Sequence, residues 1–129
     1  MKKDIDYPEV QDIYMAIAKD STLWKVYLIN RGTETIDTIL ITSKGYGEKD
    51  GKPQKTSTLR HAIPKLEAGE HALIEPIDPG VFHLTNEYWL SYYIGQQVFD
   101  KKYLFVPETI NPENFISIPE IGLEGVLHS

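Results

Sequence analysis

The chain has 129 residues, 41% of them apolar and 25% charged, with a net charge of −6. This length suits one domain with a single buried core, and the composition excludes wholesale disorder. The acidic balance argues against a domain that grips nucleic acid non-specifically. The absence of cysteine removes disulfides, thiolate zinc sites and cysteine nucleophiles, and suits a reducing cytoplasm.

The opening stretch MKKDIDYPEV lacks the apolar core of a secretory signal. No apolar run approaches the about 18–20 residues of a membrane-spanning helix. A cytoplasmic protein with no membrane partner is the expectation.

From residue 13 onward the dominant period is two. Ile13, Met15 and Ile17 alternate with Tyr14, Ala16 and Ala18, and LWKVYLIN (23–30) follows, rich in aromatic and β-branched residues. Asn30 to Thr33 supplies turn chemistry, and TIDTILITS (35–43) reads as the next strand. KTSTLRH (55–61) reads as a polar edge strand, with Lys55, Ser57, Leu59 and His61 on one face and Thr56, Thr58 and Arg60 on the other. EHALIEPI (70–77) ends at Asp78-Pro79-Gly80. YWLSYYIG (88–95) and VFDKKYLFV (98–106) form a final pair joined by Gln96 and Gln97.

Residues 107–129 read as an irregular tail packed on the domain, with one short strand at 115–118. Seven antiparallel strands with no βαβ pattern predict a single all-β domain over 1–129, an immunoglobulin-like or fibronectin-like sandwich. Tyr88 at the start of the sixth strand, with Leu90 two residues on and Leu84 at the corner, matches the spacing of a tyrosine corner. In that motif the hydroxyl bonds backbone a few residues upstream.

SKGYGEKDGKPQKTSTLRH (43–61) invites the phosphate-loop test and fails it. Counting back five residues from Gly51 gives Tyr46, Pro53 stands where Ser or Thr is needed, and the segment downstream is strand-like rather than helical. Gly45-Tyr46-Gly47 lacks the third glycine of a dinucleotide fingerprint. A long hairpin remains, and its charge is distinctive. Residues 44–65 hold six basic side chains against two acids, a balance of +4, whereas 66–129 stand at −8 and 1–43 at −2. A basic tip on an acidic body holds anions by its local field. Tyr46, Lys52, Lys55, Arg60 and His61 are the candidate ligand-binding residues, with pairing of Arg60 to Glu75 or Glu87 as the structural alternative.

Catalytic signatures are absent. Four scattered histidines have no partner at metal-ligand spacing, no G-x-S-x-G elbow occurs, and neither cofactor nor metal is expected. Catalysis would require a titratable pair such as His61 and Glu87 to converge. The final pair of strands is crowded with rings. Tyr88, Leu90, Tyr92 and Ile94 share one face, and Trp89, Ser91 and Tyr93 the other. One face must line the core. The other, with Tyr103, is a candidate interaction face unless Ile116, Ile118, Ile121 and Leu123 cover it.

The pattern VYLIN, SKGYGEKDG, KTSTLRH, IEPI, NEYWLSYYIG and FDKKY, spread over nearly the whole chain, resembles a group of short bacterial β-sandwich proteins of unassigned activity. Some of them are labelled phenylalanyl-tRNA synthetase subunit. The resemblance implies a cytoplasmic β-sandwich and supplies no catalytic residues. A class II synthetase core needs several hundred residues, so this size allows at most an accessory domain. The sequence therefore predicts a non-catalytic binding or assembly module that uses the basic hairpin, the aromatic hairpin, or both. A protein partner is expected ahead of a tRNA-associated role, and the oligomeric state, a dimer included, stays open.

Overall fold

A computed structural model describes residues 8–129 of the chain. The stretch read for a secretory signal falls largely within residues 1–7, outside the described residues. Ten strands run in the order β1 (Ile13–Asp20), β2 (Leu23–Asn30), β3 (Ile36–Lys49), β4 (Lys52–Lys55), β5 (Leu59–Leu66), β6 (His71–Pro76), β7 (Thr85–Ile94), β8 (Gln97–Phe105), β9 (Ile116–Ile118) and β10 (Leu123–His128). They form two antiparallel five-stranded sheets, and among the described residues the only helices are two short 3-10 turns. Among the described residues no helix is long and apolar enough to cross a membrane.

Sheet 1 has the order β6-β2-β1-β10-β9. In sheet 2, β3 is flanked on one side by β7 and then β8, and it also pairs with both β4 and β5. Alternation along each strand builds the core between the sheets. Met15, Ile17, Val26 and Leu28 of sheet 1 pack against Ile39, Ile41, Leu90 and Phe105 of sheet 2. Tyr103 adds a polar tie, donating from its hydroxyl to the Ile13 carbonyl at 2.6 Å.

Three two-residue hairpins set the registers. The β3–β4 turn is Asp50-Gly51, both with positive φ (54° and 77°), the dihedral pattern that matches strand twist. Ser21-Thr22 joins β1 to β2, and Gly95-Gln96 joins β7 to β8. The expected Gln96-Gln97 loop is thus displaced by one residue.

Three expectations need correction. There are ten strands, not seven. The 43–61 segment is no loose hairpin with one polar strand at its end: β3 runs on to Lys49, the chain reverses at once into β4, and Thr56–Thr58 separate β4 from β5. Thr56 pins that break, its N–H donating to the Gly45 carbonyl and its hydroxyl accepting from the Gly45 N–H. Lastly, 107–129 is only partly irregular. The short strand expected near 115–118 is β9, and β10 pairs with Met15–Ala18 of β1 inside sheet 1. Gly122 and Gly125 gave that stretch its irregular reading, yet Gly125 is demanded by the sheet. A Cβ there would lie 2.5 Å from the Ile17 carbonyl oxygen.

Candidate functional site

The outward face of sheet 2 gathers most of the sequence-predicted residues. Register sets Arg60, Thr42, Trp89 and Lys102 in one row across β5, β3, β7 and β8. Neighbouring rows carry Lys44, Glu87 and Leu104, then Lys55 beside Tyr46, then Leu40 and Ser91. The basic stretch and the aromatic hairpin, separate in sequence, are one surface. Trp89 is 48% exposed and Leu40 53%, with Tyr93, Leu104 and Tyr46 also open.

The cations on this face are arranged over rings. Lys102 Nζ sits 4.8 Å from the Trp89 ring centre, and Lys44 Nζ sits 5.8 Å from that of Tyr46. Glu87 lies beneath them, only 5% exposed. Its carboxylate accepts from the Tyr46 hydroxyl at 3.1 Å, with Lys44 at 3.8 Å and Lys102 at 4.0 Å. Two lysines around one buried acid leave the face positive. Desolvation, and then the Glu87 carboxylate, push the Tyr46 hydroxyl above its ordinary range.

Three predicted residues are elsewhere. Lys52 lies three positions along β4 from Lys55, an odd offset that puts it on the other side of that strand. Tyr103 is 0% exposed and belongs to the core, so it takes no part in an interaction face. Its position in β8 opposite Tyr88 makes it inward-facing. Arg60 pairs with neither Glu75 nor Glu87. His61 points inward, as the residue opposite Ile41 must.

There His61 joins a polar cluster between the sheets. Glu75 Oε1 accepts from the Ser43 hydroxyl at 2.9 Å and lies 2.6 Å from His61 Nε2, while Oε2 accepts from the Tyr88 hydroxyl at 3.1 Å. Glu75 reaches the interior through a β-bulge. Leu73 pairs with Tyr27 and Glu75 with Val26, so Ile74 is the extra residue and both it and Glu75 turn inward. Strict alternation from the exposed Leu73 would have given Glu75 the outer face as well. A cleft of about 370 Å³ opens beside the cluster.

Ser43 donates to the Glu75 carboxylate instead of to His61, so the Ser–His contact of a serine triad is not formed. His61 and Glu87, the pair named as a condition for catalysis, lie on opposite faces of sheet 2, and the titratable side chain that His61 meets is Glu75. Tyr88 and Leu90 are buried. The tyrosine corner is not formed as expected, since the Tyr88 hydroxyl bonds a side chain on β6 rather than nearby backbone. Burial, reinforced by Glu75, raises that hydroxyl far above its ordinary range.

Sequence reasoning missed Lys44, Lys102, Ser43 and Glu75. The hairpin register would have found Lys102. A Gln96-Gln97 loop sets Leu104 opposite Trp89, whereas the observed Gly95-Gln96 loop sets Lys102 there. No sequence signal marks the bulge that turns Glu75 inward. Comparison with family models, curated proteins and solved structures gives no match to this chain.

Proposed function

We propose that the protein is a non-catalytic binding module whose outward face of sheet 2 docks an acidic, partly apolar segment of another protein. The observation that carries this reading is the convergence of Lys44, Lys55, Arg60 and Lys102 with Trp89, Tyr93 and Leu40 on one face, left open by the described residues, of an otherwise acidic molecule. Opposite charge speeds encounter and fixes register, while the exposed rings and leucines supply the desolvated anchor. Aliphatic Leu40 and Leu104 favour a protein over nucleic acid, which needs stacking platforms and a longer basic track.

The core also supports a fibronectin-like arrangement. With strands A to G assigned to β1, β2, β3, β5, β6, β7 and β8, strands A, B and E fall in one sheet and C, F and G in the other. Strand D then lies beside C, and β10 and β9 extend the sheet beyond A.

Titration with a short Glu/Leu-alternating peptide, alongside single-stranded polyuridylate, tests the function. Saturable peptide binding that Trp89→Ala and Lys102→Glu abolish is the expected result. Polyuridylate binding with a steep salt dependence, and no peptide binding, would replace this reading with the nucleic-acid one.

A further inference from the structure

Five strands lie at the outer edges of the two sheets: β4, β5 and β8 in sheet 2, and β6 and β9 in sheet 1. An edge offers a row of backbone groups to any other strand, and proteins ordinarily spoil it. Four of these five are spoiled. Pro53 interrupts β4 and Pro64 interrupts β5, a bulge at Ile74 bends β6, and β9 has only three residues. β8 is the exception. Its nine residues contain no proline or glycine and pair with β7 in one unbroken register. Among the described residues no backbone group bonds its far side. Glu9 and Val10 share a shallow depression with Asp100 and Lys101 without a backbone hydrogen bond to them.

The side chains of β8 decide which strand fits beside it. In QVFDKKYLF, Val98, Asp100, Lys102 and Leu104 lie on the outward face, opposite Tyr93, Ser91, Trp89 and Glu87. Two antiparallel copies related by a two-fold axis through Lys101 set Asp100 opposite Lys102 of the second copy, and the reverse. Val98 then meets Leu104 of the second copy and, on the inward face, Phe99 meets Tyr103. All nine residues of the strand are paired. Moving the axis one residue either way sets Asp100 or Lys102 against itself, and the remaining charge against an aliphatic residue. Asp100 is exposed and has no ion-pair partner among the described residues. An inward charge such as Lys101 ordinarily guards an edge, but here it is drawn back onto its own copy. Its ammonium donates to the Ser129 carbonyl at 2.7 Å and lies 5.0 Å from the Tyr103 ring centre.

We infer that β8 is the seam of a two-fold homodimer, in which sheet 2 of one copy continues into sheet 2 of the other. Such a contact is isologous and consumes the one unspoiled edge, so assembly stops at two. The pairing needs no third molecule, and it stands or falls separately from docking on the outward face.

Sedimentation equilibrium of the full chain tests this, with the exposed Asp100 and Lys102 exchanged singly and together. The wild type is expected to form a concentration-dependent dimer. Asp100→Lys and Lys102→Asp each set like charges across the seam twice, and each should weaken association about tenfold or more. Two arms restore opposite charge: the double variant Asp100→Lys/Lys102→Asp, and an equimolar mixture of the two single variants. Both should associate within about threefold of the wild type, the mixture as heterodimers. The double variant is rescued only by the register through Lys101. If a single variant does not fold, the wild type and the double variant decide. The proposal is overturned by a wild type that stays monomeric up to about 500 μM, by single variants that dimerise as the wild type does, or by arms that are not restored.

Discussion

On the outward side of sheet 1, Ala16, Ala18 and Ile29 are fully buried beneath Ile118, with Tyr14, Ile121 and Leu123 packed around them. On the outward side of sheet 2, Leu40, Trp89 and Tyr93 stand open to solvent. Both faces are apolar enough to need a cover, and among the described residues only one receives it. The cover of sheet 1 is the turn after β9, folded back across the sheet and fastened where Arg31 grips the Glu120 carboxylate at 2.5 and 3.0 Å. Arg31 in turn lies over the Tyr14 ring at 4.8 Å. Sheet 2 has cations over its rings instead of a segment over its face. An apolar face closed by its own chain is a second core. One left open and ringed by charge is suited to a partner.

The contrast can be broken by substitution, and the expected costs fall in a clear order. Gly125→Val should be the most damaging, because its Cβ would strike the Ile17 carbonyl and the Ala18 Cα, both backbone. A loss of about 3 kcal/mol or more by urea denaturation is expected, with β10 dislodged from β1. Ile118→Ala opens a cavity under the cover and should cost about 2–4 kcal/mol. Glu75→Ala leaves Ser43, His61 and Tyr88 without their acceptor, an expected loss of about 2 kcal/mol. A loss under 0.5 kcal/mol would mean that water replaces the carboxylate.

The Arg31–Glu120 fastening is weaker and depends on pH. The hydrogen bond from Arg31 holds the Glu120 carboxyl below its usual range. Its stabilisation is therefore full above the ordinary glutamate pKa and is lost as pH falls through the lowered folded value. Both side chains are partly exposed, so Glu120→Gln should cost under about 1 kcal/mol at neutral pH and flatten the acid limb of the stability profile. The smallest effect belongs to the open face. Leu40→Ser should change stability by no more than about 0.5 kcal/mol, because Leu40 is exposed and none of the described residues covers it.

The legible and the hidden parts divide on physical lines. Two-residue alternation in IYMAIA, LWKVYLIN and EYWLSYYI exposed the strands and correctly divided Tyr88, Leu90 and Tyr92 from Trp89 and Tyr93. Composition located the basic stretch that carries Tyr46, Lys55 and Arg60. What stayed hidden was pairing at a distance. That Arg60 and Trp89 share a row depends on β3 lying between β5 and β7. The inward turn of Glu75 depends on a one-residue bulge at Ile74, and alternation assigns the opposite side wherever a bulge intervenes. β10 was obscured because Gly125 looks like a strand breaker, although close approach to Ile17 requires it.

Quantitative capture of binding partners from the native cell, comparing the wild type with the double variant Trp89→Ala/Lys102→Glu and with Leu73→Ser on the outward side of sheet 1, tests the open-face account most directly. The account predicts a partner retained by the wild type and by Leu73→Ser, lost from the double variant, and displaced by the acidic Glu/Leu peptide. Retention of the same partner by the double variant, or its loss only from Leu73→Ser, would contradict it.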